Sequence, residues 1–208
     1  MIKTQGSKIS LNRLPDIEMT SLNFEKVNFK SEDFLKKPLK EHVFTNCLFQ
    51  NCNFTESVFW NTRFCSCIFT GCNISLVKMA GCRFQDIQFL ECKIVGAEFF
   101  KCEKTFFSAQ FSRSMLHYCN FSDLNLKGIR FSECKLKDCY FTQTCLIEAQ
   151  FADVDLSGTV FHNSDLSKAD FSSAFNYDID PRTNKIKKAK FSLPEAIGLL
   201  RGFDINIV

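Results

Sequence analysis

The chain has 208 residues and 23.9 kDa, enough for one domain or two small ones and for a packed core drawn from the 45% of residues that are hydrophobic. Phenylalanine fills 25 positions while Trp (1), Tyr (3), Gly (8) and Pro (4) are scarce, a bias toward a uniform apolar core and against disorder. A formal charge of +3, from 26 basic and 23 acidic residues, is too balanced for a nucleic-acid footprint, and residues 41–171 between the two basic ends are slightly acidic.

Residues 1–21 are expected to form an N-terminal segment and cap. They hold no apolar run of seven or more behind a charged leader, and no stretch of 18 uncharged apolar residues occurs anywhere. The chain is therefore expected to be soluble and cytoplasmic, with no membrane partner and with its twelve cysteines as free thiols.

A repeat is expected over residues 22–191. From Phe44 a large apolar residue recurs every five positions through Phe49, Phe54, Phe59, Phe64, Phe69, Ile74, Met79, Phe84, Phe89, Ile94 and Phe99. A spacing of five matches neither the helical period of 3.6 nor the strand period of two. Two places before most centres the residue is small, as at Cys47, Cys52, Ser57, Thr62, Cys67, Cys72, Cys82 and Cys92, and the other three positions are mostly polar. One large and one small inward residue per five describe a chain that turns a corner every five residues. Four corners close a square coil of about 20 residues, and such coils stack at roughly 4.8 Å like strands of a parallel sheet.

The frame then breaks at 100–110 ("FKCEKTFFSAQ", Phe100 to Gln110, which puts the centres Phe99 and Phe111 two residues further apart than the period) and exposes Phe100, Phe106 and Phe107 to a choice. They belong either to a bulge that re-registers the coil or to a loop that contacts a partner. After the break the period resumes as alternating Phe and Leu: Phe111, Leu116, Phe121, Leu126, Phe131, Leu136, Phe141, Leu146, Phe151, Leu156, Phe161, Leu166 and Phe171. With four fives to a turn, this order predicts columns of like residues, Phe111 under Phe131, Phe151 and Phe171, and Leu116 under Leu136 and Leu156. Such repeats bury a core only by stacking on neighbours, which predicts a solenoid with capped ends.

The small-polar-Leu/Phe-polar-polar signature, visible as "ADVDL", "SDLSK" and "KADFS", resembles the pentapeptide repeat proteins. The resemblance implies an all-β fold, a right-handed quadrilateral parallel β-helix. The tail from Phe175 to Val208 further resembles the topoisomerase-protecting branch, the quinolone-resistance and albicidin-immunity type. That implies a homodimer made through the C-terminal segment, occupying the DNA-binding saddle of DNA gyrase as a mimic of duplex DNA.

In the tail, residues 192–208, Ser192-Leu193-Pro194-Glu195 reads as a capping box, with Ser at the N-cap and Glu at the third helical position. A short amphipathic helix is expected to follow and to end at Gly202, with Phe203, Ile205 and Ile207 alternating as a short strand. Leu193, Ile197, Leu200, Phe203 and Ile205 leave more apolar surface than one coil end covers, which invites a second copy.

Chemistry is sparse. Nine cysteines stand two places before a centre, where they point inward in columns rather than converging on a tetrahedron, so no metal site is expected; Cys65 and Cys145 fall outside the pattern. His42, His117 and His162 lie in no ligand or catalytic motif, no phosphate-binding glycine loop occurs, and a packed solenoid offers no obvious pocket. A non-enzyme is expected, without cofactor or small-molecule substrate. The one charge feature is the stretch Glu148, Asp153, Asp155, Asp165 and Asp170, opposed within it only by Lys168, a candidate partner-binding patch that stands in for phosphates. Asp or Asn one place before a centre also suits a hydrogen bond to the corner backbone, which explains Asp155, Asp165 and Asp170 without a partner. The function expected is a rod that shields a bacterial type II topoisomerase from poisons; the alternative is a scaffold or adaptor for an unrelated protein.

Overall fold

A computed structural model describes residues 3–5, 22–203 and 205; for residues 3–5 it describes only the backbone. The chain winds into an all-parallel, four-sided β-solenoid of about eight turns. Each side is a ladder of very short strands in which residue i pairs with residue i+20. On face 1, Asn23–Glu25, Val43–Thr45, Arg63–Cys65 and Arg83–Gln85 pair in order, and Lys3–Gln5 adds to the N-terminal edge in the same register. Face 2 is a nine-stranded sheet running from Asn28–Lys30 to Lys190–Phe191. Faces 3 and 4 are shorter ladders joined by single bridges, such as Asp33↔Asn53↔Asn73 and Pro38↔Val58↔Lys78. Of the expected N-terminal cap, residues 1–2 and 6–21 lie outside the described residues.

The five-residue spacing is the length of one side plus one corner. The centre residue sits mid-strand with its side chain in the core, and every centre from Phe44 to Phe99 and from Phe111 to Phe171 is buried. Rings of one column stack face to face, Phe29 on Phe49 at 4.9 Å and Phe121 on Phe141 at 4.9 Å. Rings of adjacent columns meet edge to face, Phe131 against Phe141 at 6.1 Å. Both arrangements suit the ring quadrupole. The register pairs Phe111 with Phe131 and Phe131 with Phe151, and Leu116 with Leu136, the like-on-like columns that the alternation predicts.

The corner is made two places after the centre. There the backbone enters the left-handed region, with φ between 46° and 69° at residues from Lys26 to Lys188. The turned residue's N–H then points along the rod and donates to the next coil, as Asn46 does to the Cys65 carbonyl at 2.9 Å. Glycine, Asn and Asp take this conformation at least cost, and they recur there as Asn51, Asn61, Gly71, Gly81 and Asp86.

The small residue two places before the centre does more than save space. The Cys52 thiol lies 3.5 Å from the Phe29 carbonyl one coil back, and the Ser164 hydroxyl donates to the Phe141 carbonyl at 2.7 Å. Inward-facing side chains in this slot thus satisfy carbonyls in a core that excludes water.

The break at 100–110 is a re-registering bulge. After the 3-10 turn Phe99–Lys101, pairing resumes with Phe89 opposite Phe111, a step of 22 rather than 20. Phe107 turns inward and packs edge-on against Phe84 at 6.2 Å and Phe99 at 5.8 Å, filling the face 1 slot. Lys104 stays exposed, while Cys102 is buried with the column of Cys82.

The tail differs from its sequence reading. The helix is a 3-10 segment, Glu195–Phe203, that runs through Gly202. Ser192 does not cap it: its hydroxyl donates to the Ser172 carbonyl at 2.6 Å, a tertiary partner that outcompetes the local one. Ile205 is not in a strand, and Ile207 lies outside the described residues.

Candidate functional site

The five acidic residues that the sequence groups together are spread by the coil over three sides. Asp165 lies on face 1 and Glu148 on its corner with face 2; Asp170 lies on face 2, Asp153 on its corner with face 3, and Asp155 on face 3. Three of them meet lysines. Lys168 donates to Glu148 at 2.9 Å, Lys190 to Asp170 at 3.0 Å, and the Lys185 amine stands 3.8 Å from Asp165. The sequence window from 148 to 170 omits Lys185 and Lys190, because the partner of residue i is residue i+20. The stretch is therefore not a continuous anionic surface.

Each carboxylate also has local work. The Asp155, Asp165 and Asp170 side chains accept the backbone N–H groups of Ser157, Ser167 and Ser172 at 3.0 to 3.1 Å, closing the corner as the turn explanation requires. Hydrogen bonds from Ser167 and Ser172 hold Asp165 and Asp170 below the usual carboxylate range, helped by Lys185 and Lys190. At Asp155 partial burial works the other way, but Ser157 and Asn176 more than offset it. Glu148, drawn down by Lys168, and Asp153 occupy the left-handed corner position, with φ of 60° and 54°, so they too have a place in the turn. Among the described residues Asp153 alone of the five makes no ion pair and no side-chain hydrogen bond; its N–H is bound by Ser173 Oγ at 2.9 Å.

At the break, Phe106 is exposed, Phe100 half-buried and Phe107 in the core, so the three do not form one contact loop. Arg83 lies 4.8 Å over the Phe106 ring and grips Glu103 with two hydrogen bonds of 2.8 and 2.9 Å, tying the bulge to face 1.

At the C-terminal end, Leu193, Ile197, Leu200, Phe203 and Ile205 are all exposed, Leu193 by 77%. Ile197, Leu200 and Ile205 line one open groove of about 570 Å³ with Tyr177, Glu195 and Arg201. Among the described residues the Tyr177 hydroxyl has no hydrogen-bond partner, and burial together with the Glu195 charge pushes it up.

Among the described residues no group of His, Cys, Asp and Glu could hold a metal ion. The stacked thiols instead shift one another: the Cys52 thiol is pushed up by its contact with Cys72 and by burial, Cys139 by Cys119 and burial, and Cys134 by burial, while Cys47 is drawn down by Cys67 and Cys92 by Cys72. No helix among them is long and apolar enough to cross a membrane.

A family model described as "Pentapeptide repeat region" matches residues 42–105 and 102–171, its two segments meeting at the bulge. The chain belongs to the pentapeptide repeat family. No curated protein matches it. Among solved structures of the same fold, full-length QnrB1, a plasmid-mediated fluoroquinolone resistance protein, is 19% identical over 95% of both chains with a TM-score of 0.54. A trypsin-treated form of QnrB1 is 22% identical over 89% of this chain and 90% of that one, with a TM-score of 0.46. HetL from the cyanobacterium Nostoc sp. strain PCC 7120, a pentapeptide repeat protein involved in heterocyst differentiation regulation, is 14% identical over 82% and 84%, with a TM-score of 0.32. The family's architecture, with its coils filled by side chains, points to a structural protein.

Proposed function

We propose that this protein is a non-catalytic rod that binds a bacterial type II topoisomerase such as DNA gyrase in the cytoplasm, as a homodimer joined through residues 192–208, and protects it from poisons. The observation that carries this reading is the overlay on full-length QnrB1, a fluoroquinolone resistance protein, across 95% of both chains. The exposed apolar set at the C-terminal end supports the dimer, since a second copy would cover Leu193, Ile197 and Leu200. The alternative, an adaptor scaffold for an unrelated protein, is favoured by the charge layout: acids wrapped round three faces and paired with lysines do not present a row of phosphates.

A gyrase supercoiling assay with and without a fluoroquinolone tests the proposal. Rescue of supercoiling by the protein supports it, and Asp153→Lys, which reverses the one acid of the five with neither ion pair nor side-chain hydrogen bond among the described residues, should weaken the rescue. No rescue, and no competition with DNA for the enzyme at low salt where surface charge is least screened, would leave the scaffold reading.

A further inference from the structure

The structure describes 24 non-glycine residues with positive φ, and all but two are polar or charged. The exceptions are Leu76 (φ 56°) and Tyr118 (φ 54°). Both stand on the same edge, the corner between faces 3 and 4, one coil either side of Gly96. Their N–H groups fix this order: Leu76 donates to the Val95 carbonyl at 2.8 Å, Gly96 to His117 at 2.9 Å and Tyr118 to Lys137 at 3.0 Å. Two coils at roughly 4.8 Å place Leu76 and Tyr118 about 10 Å apart along the rod. Gly96 stands between them with the Leu76 side chain leaning over it: a carbon added there would meet the Leu76 Cδ2 at 3.1 Å.

Folding gains little from this choice beyond the lean of Leu76 over Gly96 and an edge contact of Tyr118 with the His117 ring at 6.5 Å. A left-handed conformation costs a residue with a side chain about 1–2 kcal/mol, which Gly, Asn and Asp reduce. Leu76 and Tyr118 nonetheless remain 56% and 59% exposed. Around them Met115, Tyr140 and Val160 are exposed too. Apart from Phe106 at the bulge and the C-terminal set, every large hydrophobic exposed among the described residues lies on faces 3 and 4 or their shared corner.

The charge beside this edge favours cations. Lys78, Lys93, Lys135 and Lys137 are exposed, and none has a carboxylate within 4.0 Å among the described residues, although Lys135 lies near enough to Asp155 to lower it. Lys93, Met115 and Lys135 are direct neighbours in one row of the face 3 ladder, and Val95, His117 and Lys137 in another row of it. The acids at hand are Glu56, on the same corner one coil from Leu76 and 3.7 Å from Lys36, the half-buried Asp138 and Asp155, and Glu98, which holds Lys101 at 2.7 Å. A surface of apolar anchors among unpaired lysines complements carboxylates that accompany apolar side chains. Nucleic acid suits it less well: the cations are lysines rather than arginine forks, and the anchors are largely aliphatic rather than a platform of stacking rings.

We propose that the edge around Leu76, Gly96 and Tyr118 docks an acidic protein segment whose large apolar side chains pack against Leu76 and Tyr118. The surface lies away from both the C-terminal end and the bulge, and the inference does not depend on the topoisomerase reading.

The probe is a fluorescein-labelled short peptide alternating aspartate with leucine or phenylalanine, followed by anisotropy on the full chain at low salt, beside a lysine-for-aspartate peptide and an oligothymidine. Only the acidic peptide should bind well. Leu76→Asn and Tyr118→Asn, which suit the left-handed corner, should weaken it by about tenfold or more, the loss expected of central anchors. They should also raise Tm, while Gln143→Asn on another corner leaves binding unchanged. Equal binding by the Asn variants overturns the proposal, as does a fall in their Tm, which would make the two side chains structural. Tighter binding of the lysine peptide or of oligothymidine overturns the choice of occupant.

Discussion

Replacing Phe141 by Ala measures how much one column of rings stabilises the rod. Phe141 is fully buried between Phe121, at 4.9 Å with planes 3° apart, and Phe161, at 5.2 Å and 6°. It is edge-on to Phe131 and Phe151 at 6.1 and 6.4 Å. Truncating a buried Phe costs about 3–5 kcal/mol through lost burial and the cavity left behind. Four lost ring pairs, each contributing roughly 0.5–1.5 kcal/mol beyond area, put this site in the upper half of that range. At about 2–4 °C per kcal/mol for a chain of this size, Tm should fall by about 8–20 °C. Lys127→Ala, on the exposed position next to Leu126, should shift it by no more than about 2 °C. Phe141→Leu should cost about 1–2 kcal/mol, since Leu already fills this position on faces 1 and 3. Circular dichroism melts measure all three, and amide exchange should show the coils around residue 141 opening first, because each coil contacts only its neighbours. Equal shifts for Phe141→Ala and Lys127→Ala would refute the assigned register.

His42 is 1% exposed, among the described residues neither ring nitrogen has a hydrogen-bond partner of good geometry, and burial lowers its pKa below 6.5, opposed by the Lys40 carbonyl. The unfolded chain therefore binds more protons than the folded one below about pH 6.5, so stability should drop as pH falls through that value. His42→Leu should flatten this dependence in urea melts at a series of pH values, and an unchanged slope would count against it. Ten of the twelve cysteines are buried and Cys65 and Cys145 are half-buried, so a thiol reagent should modify those two first and the rest only after denaturation. Uniform reactivity would contradict the inward columns. Deleting residues 193–208 should yield a monomer or an aggregate by light scattering; a truncated chain that stays a well-behaved dimer would remove the proposed interface.

What the sequence carries plainly is the local period, and what it hides is the pairing of residues 20 apart. The centres, the small slot at Cys52 or Ser164 and the Phe and Leu columns are legible because each coil repeats the same inward chemistry. The corner at the second place after the centre left a signal in Asn46, Asn51, Gly71 and Gly81, but the requirement is conformational, and Glu148 and Asp153 satisfy it without looking like turn residues. The acidic stretch misled because charge was summed along the chain, whereas the coil sums it across coils, adding Lys185 and Lys190. Ser192 shows the same limit, a local cap motif whose hydroxyl is claimed by Ser172, 20 residues away. The chemistry of the cysteines as carbonyl partners was hidden by their resemblance to small hydrophobes.

The two extra residues at the bulge bear on how such a chain can change length. Faces 2, 3 and 4 cross it with a uniform step of 22, at Phe89↔Phe111, Ile94↔Leu116 and Glu98↔Asn120, and return at once to 20. The surplus is confined to residues 102–108 on face 1, where Phe107 plugs the gap and Ser108 ties back to the Phe84 carbonyl at 2.9 Å. A phase error in the repeat thus dies out within a single coil instead of propagating to the end. For an evolving gene this makes face 1 at Lys104-Thr105 the place where insertions are tolerated, and for an engineer it is the natural position to graft an epitope or a protease site with the coils on either side left in step.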